Sequence, residues 1–190
     1  AATRSNDGRA DPLGGFWIGT MGFAAEPGAG AIYRYYRGEV RRLYSGITIS
    51  NAICFSPDGG HALYTDTTQK RIMRQALASA DGWPEGDPEV WLDLSGQGFG
   101  PDGAVIDAEG YFCNAQWNAG RVARYDPEGQ ISDVFPVPAR QATCPAFGGA
   151  DLTTLYVTSA ADGADGEPGA GLTYAIETDI TGQAEHRVIL

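Results

Sequence analysis

The sequence predicts an all-β protein built from about four β-propeller blades. Three observations carry this prediction: a composition rich in turn formers and aromatic residues, a polar turn that recurs along the chain, and strands on both sides of each turn. The 190 residues include 27 Gly and 11 Pro, together with 4 Trp, 9 Tyr and 7 Phe, and only 19% of them are charged. Such a composition favours strands and tight turns over helices or disorder.

The recurring unit has one aspartate in a polar turn, and these anchors are Asp11, Asp58, Asp107 and Asp151. Their separations of 47, 49 and 44 positions match a four-stranded propeller blade, which spans about 40–50 residues. Each anchor is followed by an aromatic-rich strand, a second turn and another strand. Segments such as Val90–Leu94 and Ile131–Phe135 are predicted to add an outer strand.

The repeat runs through the chain without a break, so we expect a single propeller domain over residues 1–190. No charged or Ser/Pro-rich linker interrupts the period. The longest polar stretch, residues 160–171, lies inside the fourth unit and is predicted to be a surface loop. A propeller is favoured over a sandwich because radial stacking covers both faces of each sheet and leaves only short edges.

Net charge and cysteine content limit the possible partners and the cellular compartment. The net charge of −11 provides no basic surface for phosphates, so nucleic acids and anionic membranes are not expected as partners. A cation or a neutral small molecule is a more suitable partner for an acidic protein. Cys54, Cys113 and Cys144 are odd in number and widely spaced, which favours reduced thiols. With no signal peptide or apolar run of ~20 residues, we expect a cytoplasmic protein. The sequence does not indicate its oligomeric state.

Three short segments just before the repeat strands carry a family resemblance: Arg4–Gly8 (RSNDG), Ser50–Gly59 (SNAICFSPDG) and Pro101–Gly110 (PDGAVIDAEG). In order and spacing they resemble the gluconolactonase/regucalcin family, also called the senescence marker protein family. Further matching segments extend the resemblance over essentially the whole chain: Phe16–Met21, Gly120–Gly129 and Phe147–Ser159. The run Ile47–Cys54 resembles bacterial sugar lactonases most closely.

The resemblance implies a six-bladed propeller that binds one divalent metal and hydrolyses a sugar-acid lactone, such as gluconolactone or a pentonolactone. It assigns Asn51 and Asp102 as metal ligands, Arg4 and Asn6 as substrate-binding residues, and Glu26 as a further substrate contact. The family's third ligand is a Glu of the first blade. The N-terminal third, with the first one to two blades, is therefore expected to be absent from this chain.

An oxygen-only ligand set suits a hard cation, so Ca²⁺ is the expected ion, with Mg²⁺ and Mn²⁺ as alternatives. Zn²⁺ also binds carboxylates. A metal on the lactone carbonyl would polarise it, and Asp102 is expected to assist the attack of water.

Most of the aspartates are expected to be simple turn residues, which applies to Asp7, Asp11, Asp58, Asp107 and Asp126. The alternative to a lactonase is a non-catalytic calcium-binding or regulatory propeller. A third reading is a hydrolase of other esters or of phosphotriesters, because a fold does not fix its substrate.

Overall fold

The structure, a computed structural model, describes residues 2–190, which form fifteen strands and no helix. The strands pair antiparallel, in chain order, into four sheets. Sheet 1 contains β1 (Thr3–Ala10), β2 (Phe16–Gly22), β3 (Gly30–Tyr36) and β4 (Glu39–Ile47). Sheet 2 contains β5 (Ser50–Phe55), β6 (His61–Asp66), β7 (Arg71–Ala76) and β8 (Glu89–Asp93). Sheet 3 contains β9 (Gly100–Ile106), β10 (Phe112–Trp117), β11 (Arg121–Tyr125) and β12 (Ile131–Pro136). Sheet 4 contains β13 (Ala142–Gly148), β14 (Thr154–Ser159) and β15 (Thr173–Glu177).

The strand order bears out the repeat predicted from the sequence. The two segments predicted as outer strands form β8 and β12, and residues 160–171 form the loop between β14 and β15. The segments that carry the family resemblance lie before the repeat strands β2, β6 and β10, as expected. They also overlap the first strand of each of these sheets, which are β1, β5 and β9. Within residues 2–190 no helix has the length and apolar character needed to cross a bilayer.

The chain divides into two compact units. The first contains sheets 1 and 2, ending at Ser95, together with Glu185–Leu190, and the second contains sheets 3 and 4 over Gly96–Ala184. In the first unit, Trp17 is fully buried and packs edge-on against Phe55 at a ring-centroid distance of 5.6 Å. In the second unit, buried apolar residues of sheets 3 and 4 form one cluster that includes Val105, Val122 and Leu155. Each unit therefore has its own core between two sheets.

An aspartate–arginine pair fixes the first hairpin of sheet 1. Asp11 Oδ1 accepts hydrogen bonds from Leu13 N at 2.9 Å and Gly15 N at 3.0 Å, which closes the turn between β1 and β2. Its Oδ2 lies 2.6 Å from Nε of the fully buried Arg34 on β3. The turn and the third strand are thereby joined through one carboxylate, which is more than the turn role predicted from the sequence.

Sheet 3 repeats this arrangement with Asp107 and Arg124. Asp107 Oδ1 accepts from Glu109 N and Tyr111 N, both at 2.9 Å, and its Oδ2 lies 2.7 Å from Arg124 Nε. In sheet 2 the corresponding turn begins at Ser56, whose N–H donates to His61 O. Asp58 is exposed there and caps only the local turn. The turn conformation therefore recurs in sheets 1, 2 and 3, whereas the buried Asp–Arg ion pair is found in sheets 1 and 3.

Candidate functional site

The predicted site residues lie at irregularities in the first strands of the sheets. In β1, Asn6 and Asp7 oppose a single position of β2, because Ser5 pairs with Thr20 and Gly8 with Ile18. Extra residues also interrupt the other three first strands, and these are Ala52 and Ile53 in β5, Asp102 and Gly103 in β9, and Thr143 in β13. Such β-bulges re-aim side chains and are frequent beside active sites. Asn6 and Asp102 lie in a bulge, and Asn51 immediately precedes one.

A series of polar contacts joins three of the predicted site residues in the first unit. The exposed Arg4 donates from Nη1 to Asn6 Oδ1 at 3.1 Å. Asn6 Nδ2 donates to Ser50 O at 2.9 Å and faces Asn51 Oδ1 at 3.3 Å. Asn51 Nδ2 donates to Thr67 Oγ1 at 2.8 Å. The structure therefore brings Arg4, Asn6 and Asn51 together, with Asn51 Oδ1 turned toward β1.

The backbone beside Asn51 has an unusual conformation. Ala52 is fully buried and has φ of +57°, in the left-handed region that costs a residue with a Cβ about 1–2 kcal/mol. The residue that follows is held from β1, because Asp7 Oδ2 accepts from Ile53 N at 2.8 Å and Arg9 Nε donates to Ile53 O at 3.1 Å. Contacts between the two bulged strands thus support the strained residue.

Asp7 departs from the sequence prediction. It was expected to be a turn residue, and that expectation is wrong, because it lies inside β1 and accepts from Gly8 N and Ile53 N with its two carboxylate oxygens. Burial raises the pKa of Asp7, while the Ile53 N–H, Arg9 and the Gly8 N–H oppose that rise. Its position directly after Asn6 in the RSNDG segment was the available sequence signal.

Asp102 lies in the second unit, where a neighbouring strand holds its backbone. Asn114 on β10 is fully buried and donates from Nδ2 to Asp102 O and Gly103 O, each at 3.1 Å. Asn114 Oδ1 is buried without a hydrogen-bond partner among residues 2–190. The missing side chain of Gly103 permits the close approach of β13, because a Cβ there would lie 2.8 Å from Cys144 Sγ. Asn114 is not among the site residues that the sequence predicts.

Glu26 lies in the exposed loop between β2 and β3. Its Oε2 accepts from Ala24 N at 3.0 Å, and the carboxylate packs over Gly22, where a Cβ would overlap it. The observed contacts of Glu26 stabilise its own loop. Its assignment to the substrate remains a prediction.

The donor atoms of these residues suit a hard divalent cation. Asn51 Oδ1 accepts from Asn6 Nδ2 at 3.3 Å, and because an amide oxygen has two lone pairs, a second one is available for a cation. Asp102 offers a carboxylate, and oxygen ligands of both kinds are those that Ca²⁺ and Mg²⁺ prefer. Residues 2–190 contain no group of three or more His, Cys, Asp or Glu side chains arranged to hold a metal.

Comparison with known proteins identifies relatives of this chain. A candidate sugar lactone lactonase of Rhizobium meliloti is 48% identical over 187 residues, which make up 96% of this chain and 64% of that protein. The 6-deoxy-6-sulfogluconolactonase of Pseudomonas putida is 36% identical over 190 residues, 96% of this chain and 65% of its own length. The chain therefore spans slightly less than two thirds of these relatives.

A crystal structure from Agrobacterium tumefaciens, described as a calcium-binding protein, regucalcin, has the same fold. It matches 100% of this chain and 66% of its own with a TM-score of 0.97 at 45% identity. The predicted all-β fold of the six-bladed propeller family, with about four blades present, is confirmed. Residues 1–161 match the family described as the SMP-30/Gluconolactonase/LRE-like region, and the chain belongs to that family.

Proposed function

We propose that the protein hydrolyses a sugar-acid lactone with the help of one divalent cation. The observation that supports this proposal is the contact series Arg4–Asn6–Asn51 at two bulged strands, because it joins the residues that we assign to the sugar with one that we assign to the cation. An exposed guanidinium provides donors for the substrate's oxygens, and an amide provides both a donor and an acceptor. Such a set recognises a small polyhydroxylated molecule.

The cation is assigned to Asn51 Oδ1 and the Asp102 carboxylate, as the family resemblance implies. When bound, a divalent ion disperses the negative charge that develops on a carbonyl oxygen during ester hydrolysis. Arg4 and Asn6 bind and orient the sugar through its hydroxyl groups, and Glu26 is retained as a further substrate contact. Asp102 is assigned to accept the proton of the attacking water at a carboxylate oxygen. Asn114 holds the carbonyl oxygens of Asp102 and Gly103 and so limits the movement of the backbone that carries the Asp102 side chain.

The names of several relatives support an aldonolactone as the substrate class. They include the sulfogluconolactonase of Pseudomonas putida, a pentonolactonase of Haloferax volcanii and an L-arabinolactonase of Azospirillum brasilense. These proteins are 32–36% identical to this chain. A gluconolactone or a pentonolactone is accordingly the proposed substrate. Ca²⁺ is the first choice of ion, and Mn²⁺, Mg²⁺ and Zn²⁺ follow. A cytoplasmic location stays part of the proposal, supported by Cys54, Cys113 and Cys144, none of which forms a disulfide within residues 2–190.

A second candidate function is calcium binding without turnover. The names of the Agrobacterium structure and of a zebrafish relative, regucalcin, favour it. Both functions require the cation, so metal binding alone does not separate them. Turnover does.

The test uses the full-length protein with a panel of glucono-, galactono-, arabinono- and xylonolactone, followed by acid release in a pH-stat. A matched panel contains a p-nitrophenyl ester and a phosphotriester. We expect acid release above the spontaneous rate from at least one aldonolactone. Metal binding without release from any of them would contradict the lactonase proposal and favour the second function. Turnover only of the matched panel would assign a different hydrolase.

A further inference from the structure

The bulges of β1 and β5 contact each other through a carboxylate. A residue in a bulge lacks a regular ladder partner, and Ile53 occupies that position in β5. Asp7 Oδ2 accepts from its N–H at 2.8 Å, and Arg9 Nε donates to its C=O at 3.1 Å. Both polar groups of the Ile53 backbone are thus bonded to side chains of β1.

Strand β1 also holds β5 on the N-terminal side of the strained Ala52, at Ser50. Asn6 Nδ2 donates to Ser50 O at 2.9 Å, whereas Asp7 and Arg9 hold Ile53. Between these two attachments lie Asn51 and Ala52, and Ala52 keeps its left-handed φ of +57°. A strained conformation persists only where its surroundings hold it in place. The direction of the Asn51 side chain depends on that backbone.

We propose that Asp7 is a positioning residue whose carboxylate, by bonding Gly8 N and Ile53 N, holds the β5 bulge so that Asn51 Oδ1 is presented to the cation. This inference rests on the proposed function, because it takes Asn51 as a cation-binding residue. The chemistry requires an acid, since each carboxylate oxygen accepts one N–H at 2.8 Å. An asparagine would keep the volume but would turn an NH₂ group toward one of the two donors.

The test compares Asp7→Asn and Asp7→Ala with the wild type in the full-length protein. Calorimetric titration with Mn²⁺ and with Ca²⁺ gives the dissociation constants. Loss of a residue that orients a metal ligand typically weakens metal binding about 10–100-fold, and we expect that range for Asp7→Asn. In the metal-free protein, NMR should show faster exchange of the Ile53 amide and shifted Asn51 Nδ2 resonances. These two signals report the conformation of the bulge independently of activity.

Asp11→Asn is the matched control, because Asp11 is also a buried acid that accepts two backbone N–H groups in the first unit. It should lower the melting temperature and leave the Mn²⁺ dissociation constant and the Asn51 resonances unchanged. If Asp7→Asn also leaves both unchanged in a protein that binds Mn²⁺, the positioning role is overturned and the proposed function stands. A wild type that binds none of Ca²⁺, Mn²⁺, Mg²⁺ and Zn²⁺ overturns both. Equal loss of affinity in Asp11→Asn would reduce the Asp7 effect to general destabilisation and would also overturn the role.

Discussion

Removal of the Asp11 carboxylate should be among the most destabilising changes in the first unit. The Arg34 side chain is 0% exposed and that of Asp11 is 2% exposed. Nη1 and Nη2 of Arg34 have no hydrogen-bond partner among residues 2–190, and the guanidinium lies 4.5 Å from the ring centroids of Tyr36 and Trp83. Asp11→Ala would leave this charge buried against two aromatic rings without a counter-charge.

Breaking a buried ion pair by removing one partner costs about 3–5 kcal/mol. For a protein of this size, the melting temperature falls by about 2–4 °C per kcal/mol, so Asp11→Ala should lower it by about 6–20 °C. The assay is thermal unfolding followed by circular dichroism. Glu89→Ala is the control, since it breaks an exposed ion pair with Arg74. The Arg74 side chain is 39% exposed and that of Glu89 is 63% exposed. An exposed pair contributes at most about 1 kcal/mol.

The double variant Asp11→Ala/Arg34→Met should recover part of the loss, because replacing both charges removes the unpaired guanidinium. A melting temperature of Asp11→Ala within error of that of Glu89→Ala would refute the reasoning. If the melting temperature of the double variant does not exceed that of Asp11→Ala, the lost stability comes from the turn contacts rather than from the buried charge.

Three further predictions concern titration, thiol reactivity and close packing. Burial raises the pKa of Tyr64 to about 12, so the unfolded state loses this proton first, near pH ~10, and stability should fall between these values. Urea unfolding should show a smaller fall for Tyr64→Phe, and an unchanged pH slope would contradict this. Burial also raises the pKa of Cys113 well above its usual range, so an aromatic disulfide reagent should label the less buried Cys144 first, whereas equal labelling rates would count against the packing. Gly103→Ala introduces a Cβ 2.9 Å from Thr143 O and should destabilise by about 1–3 kcal/mol in chemical denaturation, and an unchanged midpoint would refute the steric argument.

Much of the fold could be predicted because strands and turns repeat along the sequence. The outer strand β8 and the loop at residues 160–171 were both found where the repeat places them. The bulges could not be predicted in the same way. All six residues of β5 are buried, so no alternation of polar and apolar residues reveals the extra residue at Ala52 and Ile53.

The assigned roles of the site residues stay predictions, and the long-range contacts around them could not be predicted from the sequence. Asp7 precedes a glycine and therefore matches a common turn pattern, but its partner is a backbone N–H 46 positions away. A backbone N–H is present at almost every residue, so the sequence does not indicate which one a carboxylate will bond. Arg34 and Arg124 show the same limit, because the sequence does not distinguish an arginine buried against a turn aspartate from an exposed one.

The central proposal is that a divalent cation bound through Asn51 and Asp102 supports lactone hydrolysis. The most direct measurement is the rate of acid release from the preferred aldonolactone by the full-length protein, after chelation and after re-addition of Ca²⁺ or Mn²⁺. We expect chelation to abolish hydrolysis, the ion to restore it, and both Asn51→Ala and Asp102→Asn to lower kcat/KM at least ~100-fold, the upper end of the loss typical for a disturbed metal site. A chelated protein that retains its full rate, or variants that match the wild type, would contradict the proposal.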